Sequence, residues 1–380
     1  MTVSPASVPT LRGKRVTLRP MTHADAPLAV RWANDARFAW FQWGRKPGRF
    51  PDDAAARNWM DVIADHRGVM FVIEYEGRAI GQVNYRDVQP KGKSAEVGIG
   101  IGEPDLWGKG LGREALGLLV RHLVDDLGLH RITLSVLAYN DRAIASYKAV
   151  GFEVEGIERE GVMTDKGTWA DDVKMAYVVG RARPDFDPQP VTLTGKHVRL
   201  EPLRREHAAE LFPVAHEEDI WRLFLVPMPR DVGELERWIG AALEEQILGG
   251  QVAFITRRVS DGAPIGSTRF LHIDRANKTA EIGWTFLGRD ARRTVANTEA
   301  KFLQLRHLFD DLGANRVWLQ TDKLNERSQR AMERLGAIRE GEHRDDRISH
   351  DGRIRTSVVY AVTRADWPTV RERLQGLLAR

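Results

Sequence analysis

Residues 107–115 read Trp107-Gly108-Lys109-Gly110-Leu111-Gly112-Arg113-Glu114-Ala115 and lie between a predicted strand over residues 95–101 and a predicted helix over residues 113–127. Three glycines at alternate positions allow the backbone to approach a ligand closely, because no Cβ atom stands in the way. The first turn of the helix leaves N–H groups without intrahelical partners, and the helix dipole adds partial positive charge there. The stretch therefore predicts an anion site, most naturally one for a pyrophosphate.

Two common nucleotide-binding motifs fit this stretch poorly. A P-loop requires Lys-Ser or Lys-Thr after its last glycine, whereas Arg113 and Glu114 follow Gly112 here. A Rossmann motif requires the loop to follow the first strand of a parallel unit, whereas this loop follows the fourth or fifth predicted strand. A glycine-rich turn that binds nothing stays open as an alternative at this point.

The segments around the loop alternate between strand and helix patterns. Predicted strands cover residues 16–19, 70–75, 79–85, 95–101 and 131–137, and predicted helices follow Thr22 and cover residues 113–127 and 142–150. The helix after the loop carries one apolar stripe, which is typical of a helix packed on a core; its members are Leu116, Leu119, Val120, Leu123 and Leu127. Strands interleaved with helices predict an α/β fold with a mixed sheet.

The same pattern occurs twice along the chain. Ala95-Glu96-Val97-Gly98 recurs 185 residues later as Ala280-Glu281-Ile282-Gly283, and Asn140-Asp141-Arg142 recurs at the same offset as Asn325-Glu326-Arg327. A repeat of this length has the size of a domain. We therefore predict one domain over residues 1–180, a proline-containing linker over residues 181–190 and a second domain over residues 191–380.

A second motif follows the glycine-rich loop and suggests a family. Asn140-Asp141-Arg142-Ala143-Ile144-Ala145-Ser146-Tyr147 comes after the next predicted strand and precedes Val150-Gly151-Phe152. With these two motifs, each half of the chain resembles the GCN5-related N-acetyltransferase (GNAT) family, in particular its ribosomal-protein-acetyltransferase-like branch. The family's loop usually begins with Arg or Gln, whereas Trp107 stands at that position here.

The resemblance implies an α/β (α+β) fold for each half, with a mixed, mostly antiparallel central sheet flanked by helices. It implies acetyl-CoA as the donor co-substrate, with the pyrophosphate on the N–H groups of residues 108–113 and the pantetheine arm between the fourth and fifth strands. The implied cofactor-binding residues are Trp107, Gly108, Lys109, Gly110, Leu111, Gly112, Arg113, Asn140 and Ala143.

Amine acetylation needs a proton acceptor and a proton donor. An alkyl ammonium group has a pKa of about 10.4 and cannot attack a thioester until it loses its proton, which a carboxylate can accept directly or through water. We predict Glu96 as this base, with a solvated strand residue as the alternative. By the resemblance, Tyr147 stands where the family commonly places the acid that protonates the CoA thiolate; the alternative is an aromatic residue that packs on the sheet.

The second copy departs from the first at the positions that matter most. Val295 stands at the position of Gly110 and Asn297 at that of Gly112, and a β-branched valine resists the positive φ that glycine allows. Met332 stands at the position of Tyr147 and cannot donate a proton. Side chains could still bind phosphate, and the candidate second cofactor site consists of Arg292, Arg293, Thr294, Asn297 and Asn325.

Aromatic residues before the third strand predict the acceptor entrance. Phe38, Trp40, Phe41, Trp43, Phe50 and Trp59 lie there with Asp52 and Asp53 nearby, and such a group suits a cationic amine. Helix faces packed on the sheet are the alternative. The acceptor itself is open at this stage: a protein N-terminus, a polyamine or an aminoglycoside-like small molecule.

Composition narrows the remaining classes. The chain has 380 residues, a formal net charge of +4 and no cysteine, which excludes thiolate metal sites and cysteine nucleophiles. No histidine spacing indicates a metal, no apolar run predicts a membrane span, and scattered basic residues argue against nucleic-acid binding. We expect a cytoplasmic monomer or homodimer in which mainly the first domain is catalytic. The alternatives are two catalytic domains that act on different amines, or an acetyl-CoA-binding sensor or scaffold without turnover.

Overall fold

The computed structural model describes residues 8–181 and 185–379, which form two compact units that divide within the predicted linker. Linker residues 182–184 lie outside the described residues. Further along the linker, Phe186 is fully buried in the core of the second unit, and the Asp187 carboxylate accepts a hydrogen bond of 2.7 Å from Nε of Arg275.

The first unit contains eight strands and five α-helices within its described residues. The strands are β1 (Leu11–Arg12), β2 (Val16–Pro20), β3 (Val69–Tyr75), β4 (Arg78–Gln89), β5 (Ser94–Ile101), β6 (Arg131–Leu137), β7 (Glu153–Met163) and β8 (Trp169–Val178). The helices are α1 (Ala26–Ala33), α2 (Ala36–Trp43), α3 (Asp53–Asp65), α4 (Leu111–Arg121) and α5 (Asp141–Val150). The helix predicted over residues 113–127 therefore begins at Leu111, and a π-helical turn, His122–Asp126, continues it.

The second unit repeats this order. Its strands are β9 (Leu193–Thr194), β10 (Val198–Pro202), β11 (Val252–Arg258), β12 (Pro264–Asp274), β13 (Thr279–Leu287), β14 (Arg316–Asp322), β15 (Ile338–Ile348) and β16 (Ile354–Thr363). Its helices are α6 (Ala208–Ala215), α7 (Glu218–Trp221), α8 (Val232–Ile247), α9 (Ala296–Arg306), α10 (Glu326–Leu335) and α11 (Trp367–Leu378). None of the helices in the described ranges combines the length and the apolar character needed to cross a membrane.

Each unit is built on one eight-stranded sheet. The strand order is β1-β2-β3-β4-β5-β6-β8-β7 in the first sheet and β15-β16-β14-β13-β12-β11-β10-β9 in the second. One pair in each sheet is parallel, β5 with β6 and β13 with β14, and the other neighbouring strands are antiparallel. The predicted mixed, mostly antiparallel sheet flanked by helices is therefore confirmed in both halves.

Helices of the first unit pack on both faces of its sheet. A Cβ atom at Gly100 of β5 would lie 2.7 Å from the Phe38 ring of α2, and one at Gly112 of α4 would lie 3.4 Å from Ile101, the next residue of β5. Since side chains of adjacent strand residues point to opposite faces, α2 and α4 lie on opposite sides of β5. Most of the predicted apolar stripe is buried, with Leu116 and Leu119 fully inaccessible, but Leu127 follows the π-helical turn and is 44% exposed.

Candidate active site

The central feature of the first domain is a gap in its sheet. Strands β5 and β6 pair in parallel only from Ser94 to Glu96, where Glu96 lies opposite Thr133. Beyond that point β5 stays paired with β4 as far as Ile101, and β6 stays paired with β8 as far as Leu137. The two parallel strands therefore separate, and the sheet opens between them.

A cavity of about 310 Å³ occupies this region. Its lining includes Phe38, Phe41 and Gln42 of α2 on one face of the sheet, and residues of the glycine-rich loop and of α5 on the other. Among the predicted site residues, Trp107, Gly108, Gly110, Leu111, Gly112, Arg113, Asn140, Ala143 and Tyr147 line the cavity. Lys109 lies instead in a neighbouring cavity, and Glu96 is not among the residues that line either one.

The glycine-rich loop adopts a backbone that favours glycine. Gly108 has a φ of +79° and Gly110 a φ of +78°, and Gly110 is the N-cap of α4 without any side chain to occupy the helix end. A Cβ atom at Gly108 would meet no atom within 4 Å, so the backbone there is open to an approaching group. The unpaired N–H groups of the first turn of α4 fit a pyrophosphate.

Trp107 anchors the start of the loop. Its indole Nε1–H donates a 2.8 Å hydrogen bond to the carbonyl oxygen of Ile101, the last residue of β5. The guanidinium of Arg142, from the first turn of α5, lies 3.9 Å from the centre of its ring, and Phe41 meets the ring edge-on. Trp107 therefore ties the loop, β5 and α5 together, although it differs from the family's usual Arg or Gln.

The second cavity lies beyond the loop and is lined by cations. Its volume is about 700 Å³, and its lining includes Arg15, Lys109, Arg113 and Arg121. It shares Gly108, Gly110 and Arg113 with the first cavity. Arg15 is held in place by an ion pair of 2.9 Å with Glu114 and by a 3.0 Å hydrogen bond to the Lys109 carbonyl. This surface provides positive charge next to the predicted phosphate loop.

Asn140 joins two helices at the wall of the cavity. Its side-chain oxygen accepts a 3.3 Å hydrogen bond from the Ala143 backbone, which caps α5, and its amide nitrogen donates a 3.2 Å hydrogen bond to the Phe41 carbonyl. The predicted contact of Asn140 with the pantetheine arm stays a prediction. The same cap recurs in the second domain, where Asn325 accepts a 3.1 Å hydrogen bond from the Ser328 backbone.

The two predicted catalytic side chains have different surroundings. Burial raises the pKa of Tyr147, which lines the cavity, to about 12, although the positive charge of Arg142 lowers it in part. Glu96 lies where β5 and β6 begin to separate, and its carboxylate accepts a hydrogen bond from the Arg86 guanidinium across β4 and β5. The side chain of Glu96 is 34% exposed, so water reaches it.

The predicted acceptor aromatics are already contacted by cations of the protein. Arg49 lies 4.6 Å from the ring centre of Trp43, and Lys166 lies 3.9 Å from that of Trp40. Asp52 caps α3 by accepting a 2.8 Å hydrogen bond from the Ala55 backbone. Of the predicted aromatic residues, only Phe38 and Phe41 line the cavity.

The second domain closes its equivalent loop with its own side chains. Arg293, at the position of Gly108, takes a φ of +61°, whereas Val295, at the position of Gly110, takes a φ of −66°. The hydroxyl of Thr294 accepts a 3.1 Å hydrogen bond from the Ala296 backbone at the start of α9. One of the N–H groups that could bind phosphate is thus already occupied.

The remaining residues of the candidate second cofactor site each make different contacts. Arg292 donates to the Leu287 carbonyl at 2.8 Å, as Trp107 does to Ile101, and to Glu217 at 2.8 Å. Arg293 is exposed, Asn297 is half-buried and Asn325 caps α10. Met332 is buried in the core. Within the described residues, no cluster of His, Cys, Asp and Glu could hold a metal ion.

Sequence reasoning missed several residues of these sites. Gln42 and Arg142 line the cavity, and only Arg142 lay inside a motif that had been singled out. In the second domain, Lys301 is buried at 4% exposure, and its Nζ bonds to Thr268, Thr285 and Gln304 at 3.1, 2.7 and 3.1 Å. The sequence did contain a signal for this buried lysine, because Lys301 stands at the position of Leu116, which belongs to the apolar stripe of the first domain.

Comparison with known proteins gives a consistent result for both halves. The pattern of the Acetyltransferase (GNAT) domain family matches residues 15–153 and again residues 197–338. "Uncharacterized N-acetyltransferase p20" of Bacillus licheniformis is 26% identical over 157 residues, which cover 40% of this chain and 86% of that protein. Spermidine N(1)-acetyltransferase of Escherichia coli is 34% identical over 94 residues, which cover 25% of this chain and half of that protein's length.

One solved structure is similar to one half of this chain. The GCN5-related N-acetyltransferase from Brucella melitensis is 30% identical, with a TM-score of 0.48, and the match covers 50% of this chain and 87% of that one.

Proposed function

The chain belongs to the GNAT family of acetyltransferases, and from this premise we propose that its first domain transfers acetyl from acetyl-CoA to a primary amine by direct attack. The observation that carries the proposal is the single cavity that joins the glycine-rich loop, the sheet gap and Tyr147. Donor and acceptor can approach this gap from opposite faces, because the loop and α2 lie on opposite sides of β5.

The loop and its neighbours bind the donor. The N–H groups at the start of α4 hold the pyrophosphate, and the cations of the second cavity offset its negative charge. The pantetheine arm passes between β5 and β6, where no hydrogen bonds between these strands have to be broken. Asn140 fixes α2 and α5 at the wall of this passage.

Tyr147 supplies the proton that the leaving group requires. As the amine nitrogen forms a bond to the thioester carbon, the carbon–sulfur bond breaks and the thiolate takes the phenol proton. A pKa raised to about 12 keeps this phenol protonated at neutral pH. Before the attack, Glu96 accepts a proton from the ammonium group through water, while its carboxylate stays hydrogen-bonded to Arg86. After the attack, the nitrogen releases its second proton to solvent. Solvent then returns the phenol to its protonated form.

The acceptor is a primary amine, and the names of the relatives support more than one kind. A spermidine acetyltransferase is among them, which supports a polyamine, and a protein N-terminus and an aminoglycoside-like molecule stay candidates. Because Arg49 covers Trp43 and Lys166 covers Trp40, we propose that the residues lining the cavity on this face, Phe38, Phe41 and Gln42, contact the acceptor.

Amine-dependent release of the CoA thiol tests the proposed function. The purified chain is incubated with acetyl-CoA and one amine at a time. The amines are spermidine, a peptide with a free N-terminus and an aminoglycoside. We expect thiol release above hydrolysis with at least one amine, together with an acetylated product of matching mass. Tight acetyl-CoA binding without acetylation of any amine would instead support a sensor or scaffold. In that case the Tyr147→Phe variant would behave like the unmodified chain.

A further inference from the structure

An arginine in the second domain is buried without a polar partner. Arg269 of β12 is 5% exposed, and its Nε and Nη2 atoms are both inaccessible and bond to no described residue of the protein. No carboxylate in the described ranges forms an ion pair with it. Glu281, two residues along β13 from the Gly283 that pairs with Arg269, bonds instead to His272 at 2.7 Å.

Two tryptophans cover the guanidinium. Its central carbon lies 4.1 Å from the ring centre of Trp238 in α8 and 5.1 Å from that of Trp284 in β13. Phe224 meets Trp284 edge-on at 5.6 Å and extends the aromatic group. The rings of both tryptophans are partly exposed, so they stand between the arginine and solvent.

The position of Arg269 corresponds to the acceptor face of the first domain. Arg269 pairs with Gly283, as Asn84 pairs with Gly98 on β4 and β5. In the first domain this face carries Arg86 and the predicted base Glu96 next to Gly98. The second domain therefore has an unpaired cation where the first has a neutral amide.

The unpaired atoms have the geometry of an oxyanion site. Nε and Nη2 lie on one edge of the guanidinium, and this edge can donate two parallel hydrogen bonds to a carboxylate or phosphate group. A buried, uncompensated charge costs free energy that contact with aromatic rings offsets only in part. Trp284 also has a φ of +48° at a bulge in β13, a backbone conformation that bulky residues rarely adopt.

We propose that Arg269 binds the oxyanion of a carboxylate- or phosphate-bearing ligand on this face of the second domain, with Trp238 and Trp284 as a cover that moves to admit it. This site does not require the second domain to bind acetyl-CoA, and it does not depend on catalysis by the first domain. Its ligand class also differs from the cationic amine that the aromatic residues of the first domain suggested.

Nuclear magnetic resonance of the arginine side chains in the full chain tests the site. The Nε–H signal of Arg269 is assigned by its loss in Arg269→Lys, and the protein is titrated with sodium phosphate and, separately, with sodium acetate. Sodium chloride at matched ionic strength is the reference. We expect a saturable shift of this signal with phosphate, acetate or both, and none with chloride. The anion that saturates at the lower concentration identifies the preferred ligand group.

Two methionine variants complete the test. Arg269→Met should abolish the saturable rise in thermal midpoint that the effective anion produces. Arg258 lies at the end of the neighbouring strand β11 and forms an exposed ion pair with Asp261. Arg258→Met removes the same charge there and should retain that rise. If Arg269→Met does not fold, Arg269→Lys replaces it, and its affinity should be at least tenfold weaker because lysine cannot form two parallel bonds. Absence of saturation with both anions, or an equal response after Arg269 is replaced, would overturn the proposal.

Discussion

Tyr147 and Glu96 show what a sequence can and cannot predict about single residues. The family resemblance singled out Tyr147, which lines the cavity, but the raised pKa of this residue depends on burial that the sequence does not show. The bond between Glu96 and Arg86 crosses two antiparallel strands. Such a contact depends on strand register, which the hydrophobic pattern alone does not define for this pair.

Replacement of Tyr147 by phenylalanine tests the proposed acid. Tyr147→Phe removes the hydroxyl and keeps the ring, so kcat should fall by about 10²-fold while the affinity for acetyl-CoA stays unchanged. Calorimetry and steady-state kinetics measure the two effects separately. Tyr75→Phe, on the same sheet and outside both cavities, is the matched control and should retain full activity. Unchanged kcat in Tyr147→Phe would remove this residue from the mechanism.

The pH profile gives an independent check on the same residue. Because burial raises the pKa of Tyr147 to about 12, the acid stays protonated well above the ordinary tyrosine pKa of about 10. The activity of the unmodified chain should therefore show no loss near pH 10 that stems from this group. A descending limb centred near pH 10 that disappears in Tyr147→Phe would contradict the raised pKa of the phenol.

Glu96→Gln tests the proposed base. The amide keeps the shape of the side chain and cannot accept a proton, so kcat/KM at neutral pH should fall by about 10²-fold. Glu74→Gln is a close control, since Glu74 also pairs with an arginine, Arg19, and its exposure of 32% is similar to the 34% of Glu96. Equal activity of the two variants would assign Glu96 a structural role.

At the scale of elements, the order of strands and helices was predictable and the fine geometry was not. The apolar stripe predicted the helix that contains α4, and the predicted strand over residues 131–137 coincides with β6, because burial follows the period of each structure. The sequence pattern gave no indication of the bulge in β13 at Trp284. Gly288 and Gly102 occupy the same place at the end of their strands, since their N–H groups bond to Ile265 and Ile80. Strand β13 contains one residue more than β5, and the segment between β13 and α9 contains one residue fewer than its counterpart in the first domain. The motifs before and after this region therefore keep the same offset of 185 residues.

Helix α9 carries a pH-sensitive element of the second domain. Burial lowers the pKa of Lys301 to about 7, whereas the unfolded chain has the ordinary value near 10.4. Between these values the unfolded state binds the proton more tightly, so the free energy of unfolding should rise with pH from about 7 to 10. Lys301→Met should abolish this rise in urea denaturation of the second domain, and Lys196→Met, at an exposed lysine, should preserve it. A pH dependence that Lys301→Met leaves intact would show that another group causes it.

At the scale of the whole molecule, the two copies share one fold but differ in the residues and contacts of their candidate sites. The first retains the open glycine loop, the sheet gap and Tyr147. The second caps its helix with Thr294, buries Met332 and places Arg269 on the opposite face. Duplication was evident from the repeated motifs. The side-chain contacts that distinguish the copies depend on tertiary packing, which a comparison of aligned letters does not contain.

Calorimetric titration of acetyl-CoA into the full chain tests the central proposal that the glycine-rich loop of the first domain binds the donor, and it shows whether the closed loop of the second domain binds it as well. Gly110→Val is the decisive variant, because valine resists the φ of +78° at the start of α4. Gly77→Val places the same residue at a φ of +73° in the exposed turn between β3 and β4, where a Cβ atom meets nothing within 4 Å. We predict one site per chain, abolished by Gly110→Val and retained in Gly77→Val. Two sites per chain, or one site that survives Gly110→Val, would contradict the account.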